Sequence, residues 1–253
     1  MGATTTISWT ERTWNAAIGC SRVSPGCAHC YAERMAATKF RRFTGGTVWG
    51  RSNPRYVTSD SLWKAPLKWA REARREGRKI RVFANSLYDF CEDHPDIAAI
   101  RPRLWELIDA TRDALTYLLL TKRPENLAAC LPRNWGPFWS GVWIGTSVES
   151  ADYVSRADHL RAIDAEVRFL SVEPALSPIA GALDLTGIDW CIYGGESGPG
   201  YRPDDPQWAR DLLAACRDSG TAFFYKQSSG ARSGMNPTLD GVEWKEFPVP
   251  RAP

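Results

Sequence analysis

Three cysteines, Cys20, Cys27 and Cys30, stand close together in the stretch CSRVSPGCAHCYAER, with the spacing C-x6-C-x2-C. The last pair has chelate spacing, and Pro25 and Gly26 directly before Cys27 mark a turn that folds the loop back towards Cys20. Thiolates in this arrangement suit a metal. A zinc site closed by protein takes four ligands; His29 offers a fourth but lies between two of the others, and no second C-x-x-C follows. Three thiolates also suit a [4Fe-4S] cluster whose remaining iron stays open to an exogenous molecule. Spacing favours the cluster and leaves zinc, or three unliganded thiols, open.

Something must hold that loop at a site. Continuous apolar runs recur at 80–85 (IRVFAN), 114–121, 141–147, 167–174, 189–196 and 221–227, with WNAAIGC as an opening strand. Runs that do not alternate are expected where both faces of a strand are covered, as in a parallel sheet. Between them, 96–112, 149–163 and 205–220 read as helices; the last begins with an Asp and a Pro and ends at a Gly. Each run ends in a polar or glycine-rich tag: NSLYD, TKRPE, TSVES, SVEP, GGESG and KQSSG. A barrel brings all its strand ends to one rim, whereas an open doubly wound sheet offers ligand contacts mainly at one switch point. The predicted fold is therefore α/β, a partial (β/α) TIM-type barrel in one domain over 1–253. An insertion at about 38–79, after the first βα unit, is expected to cover the mouth.

The balance of 32 Lys and Arg against 29 Asp and Glu, a net +3, identifies no polyanion binder by itself. KFRR at 39–42 and the arginine-rich run within 64–81 read either as solvated helix faces or as phosphate-binding surfaces. No basic-then-apolar leader and no run of 18 apolar residues occurs, so a cytoplasmic protein without a membrane span is expected. Seven cysteines, an odd number, fit a reducing compartment. Cys191 and Cys216 read as small buried residues of a strand and a helix, with Cys91 and Cys130 also set apart from the cluster. His94 and His159 read as surface or helix-flanking residues.

The segments WTERTWNAAIGCSRVSPGCAHCYAERMA, VFANSLYDFCEDHPD, LLLTKRPENL, VWIGTSVES, VRFLSVEPALSPI, DWCIYGGESGPGYRP and FFYKQ together resemble the phage Gp37/Gp68-like (DUF5131) family, which is related to radical S-adenosylmethionine (SAM) enzymes. The resemblance covers nearly the whole chain. It implies a radical SAM-like barrel in which Cys20, Cys27 and Cys30 bind a [4Fe-4S] cluster and the open iron is chelated by SAM. An external low-potential electron donor would then drive cleavage of SAM to methionine and a 5'-deoxyadenosyl radical that usually abstracts a substrate hydrogen. Tyr31, directly after Cys30, takes the aromatic place near adenine. The commonest radical SAM motif has about three residues between its first two cysteines; the six here leave room for an unusual reaction.

SAM carries a carboxylate, an ammonium and a sulfonium, so its site wants donors on one side and acceptors on the other. Candidates at the strand ends are Ser86 and Asp89, Lys122 and Arg123, Ser147 and Glu149, Glu173, and Lys226 with Gln227. In GGESG, Gly194 and Gly195 allow close backbone approach, and Glu196 can accept from an ammonium or a ribose hydroxyl. The bland reading of all these is a set of salt bridges and turns that tie the rim. The substrate is open: a nucleic acid, favoured by the arginines of 71–81 and the aromatics of the insertion, or a peptide or small metabolite. A different class of answer is a zinc-stabilised, non-catalytic nucleic-acid-binding protein, against which the rim carboxylates speak because they repel phosphate.

Overall fold

The computed structural model describes residues 5–136 and 139–251. Two short strands, β1 (Arg12–Thr13) and β2 (Ala17–Ile18), lead into the cysteine loop and α1 (Tyr31–Ala37). After α2 (Arg41–Thr44), β3 (Tyr56–Val57), α3 (Asp60–Trp63) and α4 (Ala65–Glu76), strand and helix alternate. They run β4 (Ile80–Phe83), α5 (Pro95–Asp109), β5 (Leu115–Thr121), α6 (Leu127–Cys130), β6 (Val142–Ser147), α7 (Arg156–Arg161), β7 (Val167–Val172), β8 (Trp190–Gly194), α8 (Pro206–Ser219) and β9 (Ala222–Gln227).

Seven strands form one parallel sheet in the order β1-β4-β5-β6-β7-β8-β9. The order never reverses, so there is no switch point of the doubly wound kind. The sheet curls instead into a half-barrel. Its convex face carries Val82, Tyr117, Ile144, Leu170, Tyr193 and Tyr225 against Trp69, Ala70 and Ala73 of α4, Leu104 and Ile108 of α5, Leu160 of α7 and Leu212 of α8. Neighbouring residues in each strand point the other way, as the two-residue period requires. On the concave face Phe83, Leu118, Trp143, Phe169, Trp190, Ile192 and Phe224 close the bottom with Trp9. Gly145 belongs to this layer: a Cβ there would lie 2.4–2.6 Å from the Phe169 ring, which crosses the position.

Two residues further along, the same face turns polar. Ser147 follows Gly145, Ser171 and Glu173 follow Phe169, and Lys226 follows Phe224, all lining one cavity. Both faces of each strand are covered, which is why the sequence showed unbroken apolar runs.

Three expectations change. The opening run is no single strand: Arg12 and Thr13 pair with β4, and Ala17 and Ile18 pair antiparallel with β3 in a separate two-stranded sheet. The segment expected as a helix over 149–163 is split into a 3-10 turn at Ala151–Tyr153 and α7, with Arg156 turning back to donate to Ser147 O at 2.8 Å and to Glu149 Oε2 at 2.7 Å. The insertion also divides. Lys39, Phe40 and Trp49 line the cavity, whereas α4 is the crossover helix buried on the convex face. The arginines of the 64–81 run are a solvated face: Arg74 of α4 pairs with Asp113, and Arg78, just past the helix, with Glu11 and Glu76. His94 flanks α5, its Nδ1 accepting from Asp96 N at 3.3 Å, and His159 is exposed on α7. Among the described residues no helix is long and apolar enough to cross a membrane.

Gly145→Val should crowd the Phe169 ring and cost about 1–3 kcal/mol, the usual penalty of overpacking. Chemical denaturation measures it; an unchanged midpoint would mean that the ring has room to move aside.

Candidate functional site

The cysteine loop begins at Gly19, whose φ of +123° and whose missing Cβ, otherwise 2.4 Å from Val48 O, let the chain turn away from β2. Cys20, Cys27 and Cys30 then reach a single cavity of about 690 Å³ at the carboxyl ends of the half-barrel strands, and all three are free thiols. Cys30 caps α1, with the backbone N–H groups of Glu33 and Ala32 directed at its sulfur.

Polar ties from five other segments fix the loop. Gly50 N donates to Cys20 O at 2.9 Å, and Arg202 Nη2 to Pro25 O at 3.1 Å. Ser24 Oγ donates to Glu149 Oε1 at 2.8 Å and Ser21 Oγ to Glu92 Oε1 at 2.6 Å. Gly26 presses directly on Glu149, since a Cβ there would sit 2.6 Å from the carboxylate. Arg123 joins the loop to the rim: Nη2 donates to Ser21 O at 2.8 Å, while Nη1 donates to Asp89 Oδ2 at 3.0 Å and faces Cys20 Sγ at 3.6 Å.

Behind this arrangement lie two buried carboxylates. Glu92 accepts from Arg55 Nε at 2.8 Å and Nη2 at 2.9 Å, with Arg123 Nη2 at 3.3 Å. Burial pushes its carboxyl up, but the donors from Arg55 and Ser21 and the charge of Arg123 outweigh this and hold it below the usual range. Glu149 is completely buried between Lys122, Arg156 and Ser24, and those cations likewise overcome its desolvation. Burial pushes the Cys20 thiol up to about 12, Asp89 and Glu92 adding to the effect and Arg123 opposing it.

The cavity gathers Tyr31, Ser86, Asp89, Lys122, Ser147, Glu173, Gly195, Glu196 and Lys226 together with the three cysteines. Tyr31 stands at its edge, 42% exposed, with its hydroxyl donating to Ser86 O at 2.7 Å. Glu173 pairs with Lys226, and Lys122 with Glu149.

Several of the residues expected to meet a ligand are engaged by the protein itself. Glu149 does not line the cavity; β6 ends at Ser147, and beyond the strand its side chain turns behind the cysteine loop. Gly194 lies behind Glu173, its missing Cβ 3.1 Å from that carboxyl carbon. Gly195 admits a neighbouring loop, since a Cβ would fall 2.1 Å from Ser229 N. Asp89 lines the wall but spends its oxygens on Thr121 Oγ1, Cys91 N, Lys122 N and Arg123. Glu196 accepts from Arg202 N at 2.8 Å, Arg202 Nε at 2.9 Å and His29 Nδ1 at 2.9 Å. Partial burial pushes this carboxyl up, yet Arg202 and His29 hold it down at about 2. His29 thus turns Nδ1 to Glu196.

Sequence reasoning missed Ser24, Arg55, Glu92 and Arg202, and also Asn15, which accepts from Leu87 N at 2.7 Å and donates to Ser86 Oγ at 2.9 Å. Of these only Ser24, beside Pro25 inside the cysteine motif, carried a local signal. As the side chains stand, no three His, Cys, Asp or Glu among the described residues gather round the position of one ion. The fit to an iron-sulfur group therefore rests on the donor set, three free thiols on one loop, and on the cavity they share.

Two stability measurements follow. Glu92→Ala should cost about 3–5 kcal/mol by leaving the buried guanidinium of Arg55 without a carboxylate partner, Arg123 keeping Asp89; a loss below about 1 kcal/mol in urea unfolding would show the network to be dispensable. The Glu196 carboxyl is depressed from 4.5 to about 2, so its ion pair should stabilise fully above pH 4.5 and fade as pH falls through 2. The stability difference between wild type and Glu196→Gln should follow that window, and a difference independent of pH would contradict the pairing.

The family model described as "Protein of unknown function (DUF5131)" matches residues 4–248. No curated protein and no solved structure matches the chain.

Proposed function

The chain belongs to the DUF5131 family, and from the chemistry of its cavity we propose that it is a radical SAM-type iron-sulfur enzyme of a reducing, cytoplasmic compartment. The observation that carries this reading is the convergence of three unpaired thiols, from one loop, on a roomy cavity at the carboxyl ends of a parallel half-barrel. Cys20, Cys27 and Cys30 would hold a [4Fe-4S] cluster, and the adjoining space would take SAM. When bound, these groups supply reductive cleavage of the sulfonium to methionine and a 5'-deoxyadenosyl radical, with the electron coming from an external low-potential donor.

The chain's own contributions follow from its side chains. Arg123 donates towards Cys20 Sγ, and hydrogen bonds to ligand sulfurs tune the potential of such a centre. Lys122 and Lys226 bring ammonium groups into the cavity, where they can meet a carboxylate, and Glu173 brings an acceptor for an ammonium or a ribose hydroxyl. The hydroxyls of Ser86, Ser147 and Ser171 add neutral donors, and the ring of Tyr31 offers a face to adenine at the edge. Trp9, Phe83 and Leu120 form an apolar floor that keeps water from a reactive intermediate.

The reading is tested with anaerobically reconstituted protein, dithionite and SAM. Wild type should release methionine and 5'-deoxyadenosine, and Cys27→Ser should release neither. Cluster-loaded protein that leaves SAM intact, or a Cys27→Ser variant that cleaves as well as wild type, would overturn it.

A further inference from the structure

Six Lys and Arg side chains line the cavity, with His29, against three Asp and Glu. Each of the acids is matched: Asp89 by Arg123 at 3.0 Å, Glu173 by Lys226, and Glu196 by Arg202 and His29. Lys122 is matched from behind by Glu149. Arg34, Lys39 and Arg232 remain, all exposed, and none of them has an ion pair among the described residues.

These three come from different segments that the fold holds in place. Arg34 projects from α1 and lies over Gly198, where a Cβ would meet its Nη2 at 2.7 Å. Lys39 follows α1, its ammonium 5.7 Å from the ring centre of the buried Phe40. Arg232 sits in a loop pinned by Gly234 N and Ser233 Oγ, which donate to Gln227 Oε1 at 2.6 and 3.2 Å, and by Gly230 N, which donates to Glu196 O at 3.0 Å. Unneutralised cations around a cavity with low-dielectric walls focus a positive field on its opening.

We propose that Arg34, Lys39 and Arg232 form a phosphate-binding mouth, and that the substrate entering this cavity carries phosphate esters, as a nucleic-acid strand or a nucleotide does. Calling the ligand a substrate rests on the radical SAM reading; the binding itself does not. SAM contributes a single carboxylate, which the cavity's inner cations can serve, and so leaves the outer three without a use. Phosphates match them in charge and in acceptor geometry, two of the three being arginines suited to bidentate contact. The face differs from that of the α4 arginines, which lies on the other side of the sheet; there Arg74 pairs with Asp113, while Arg71 and Arg75 are exposed without an ion pair among the described residues and do not reach the cavity.

The test is direct binding to the protein without SAM or reductant, so its failure is separable from any failure to cleave SAM. A labelled single-stranded oligonucleotide is titrated by fluorescence anisotropy and AMP by calorimetry, against wild type, an Arg34→Gln/Lys39→Gln/Arg232→Gln variant, and an Arg71→Gln/Arg75→Gln variant on exposed positions of α4. The triple variant should bind at least about tenfold more weakly, with the salt slope reduced by about 2 for three lost phosphate contacts on a single strand. The α4 variant should bind as wild type does. Oligonucleotide binding with this pattern supports the proposal and identifies a strand as the source of the phosphates; AMP binding alone, lost in the triple variant, supports it with a free nucleotide as the source. Absence of binding to either probe, equal binding by wild type and the triple variant, or an equal loss in the α4 variant would overturn it.

Discussion

The site depends on where Arg123 is held. One guanidinium, almost wholly buried, meets Asp89 of the loop that follows β4, Glu92 behind it, and both Cys20 and Ser21 of the cysteine loop. Through Glu92 it is joined to Arg55 of the segment that precedes α4. Burying such charges costs much of what their attraction returns, so the network's net stabilisation is modest while breaking it is expensive. What it secures is geometry: a loop with little secondary structure of its own is referenced to the rigid ends of β4 and β5. Glu149 does the same on the far side, through Ser24 and the close approach of Gly26.

The concave face supplies the second half of the design. Its strands alternate side chains with a period of two, and along β6, β7 and β9 the inward positions pass from bulky apolar residues to Ser147, Ser171 and Lys226. A dry, aromatic floor therefore lies beneath a polar rim within each strand's own length. Most of that rim's charge is already paired, and the exceptions stand at the outer edge.

Much of this was legible in the chain. The unbroken apolar runs revealed strands covered on both faces, and the polar tags at their ends marked a common rim and so suggested a barrel-like sheet. Within a strand the direction of a side chain followed from parity, so Ser147, Glu173 and Lys226 fell where expected. Past the strand end parity no longer applies: Glu149 turns behind the cysteine loop. The register shift between Tyr193 and Gly194 likewise places Gly194 outside the cavity lining. The glycines of GGESG looked open to a ligand, yet Gly195 makes room for the backbone of Ser229. Arg55 and Glu92, 37 residues apart, act on each other, and Arg202 reaches across the chain to Pro25 O; no local pattern announces such contacts. Conversely, the most conspicuous basic run belongs to the solvated face of α4, while the unpaired cations at the mouth are scattered singly along the chain.

The chemistry of the cavity turns on an open iron-sulfur centre carried by the three cysteines. The most direct measurement is iron and sulfide content of anaerobically isolated protein, followed by electron paramagnetic resonance of the reduced sample with and without SAM. About four irons and about four sulfides per chain, with a spectrum that changes when SAM is added, is the predicted result. Zinc without sulfide, or a cluster whose spectrum is indifferent to SAM, would contradict it.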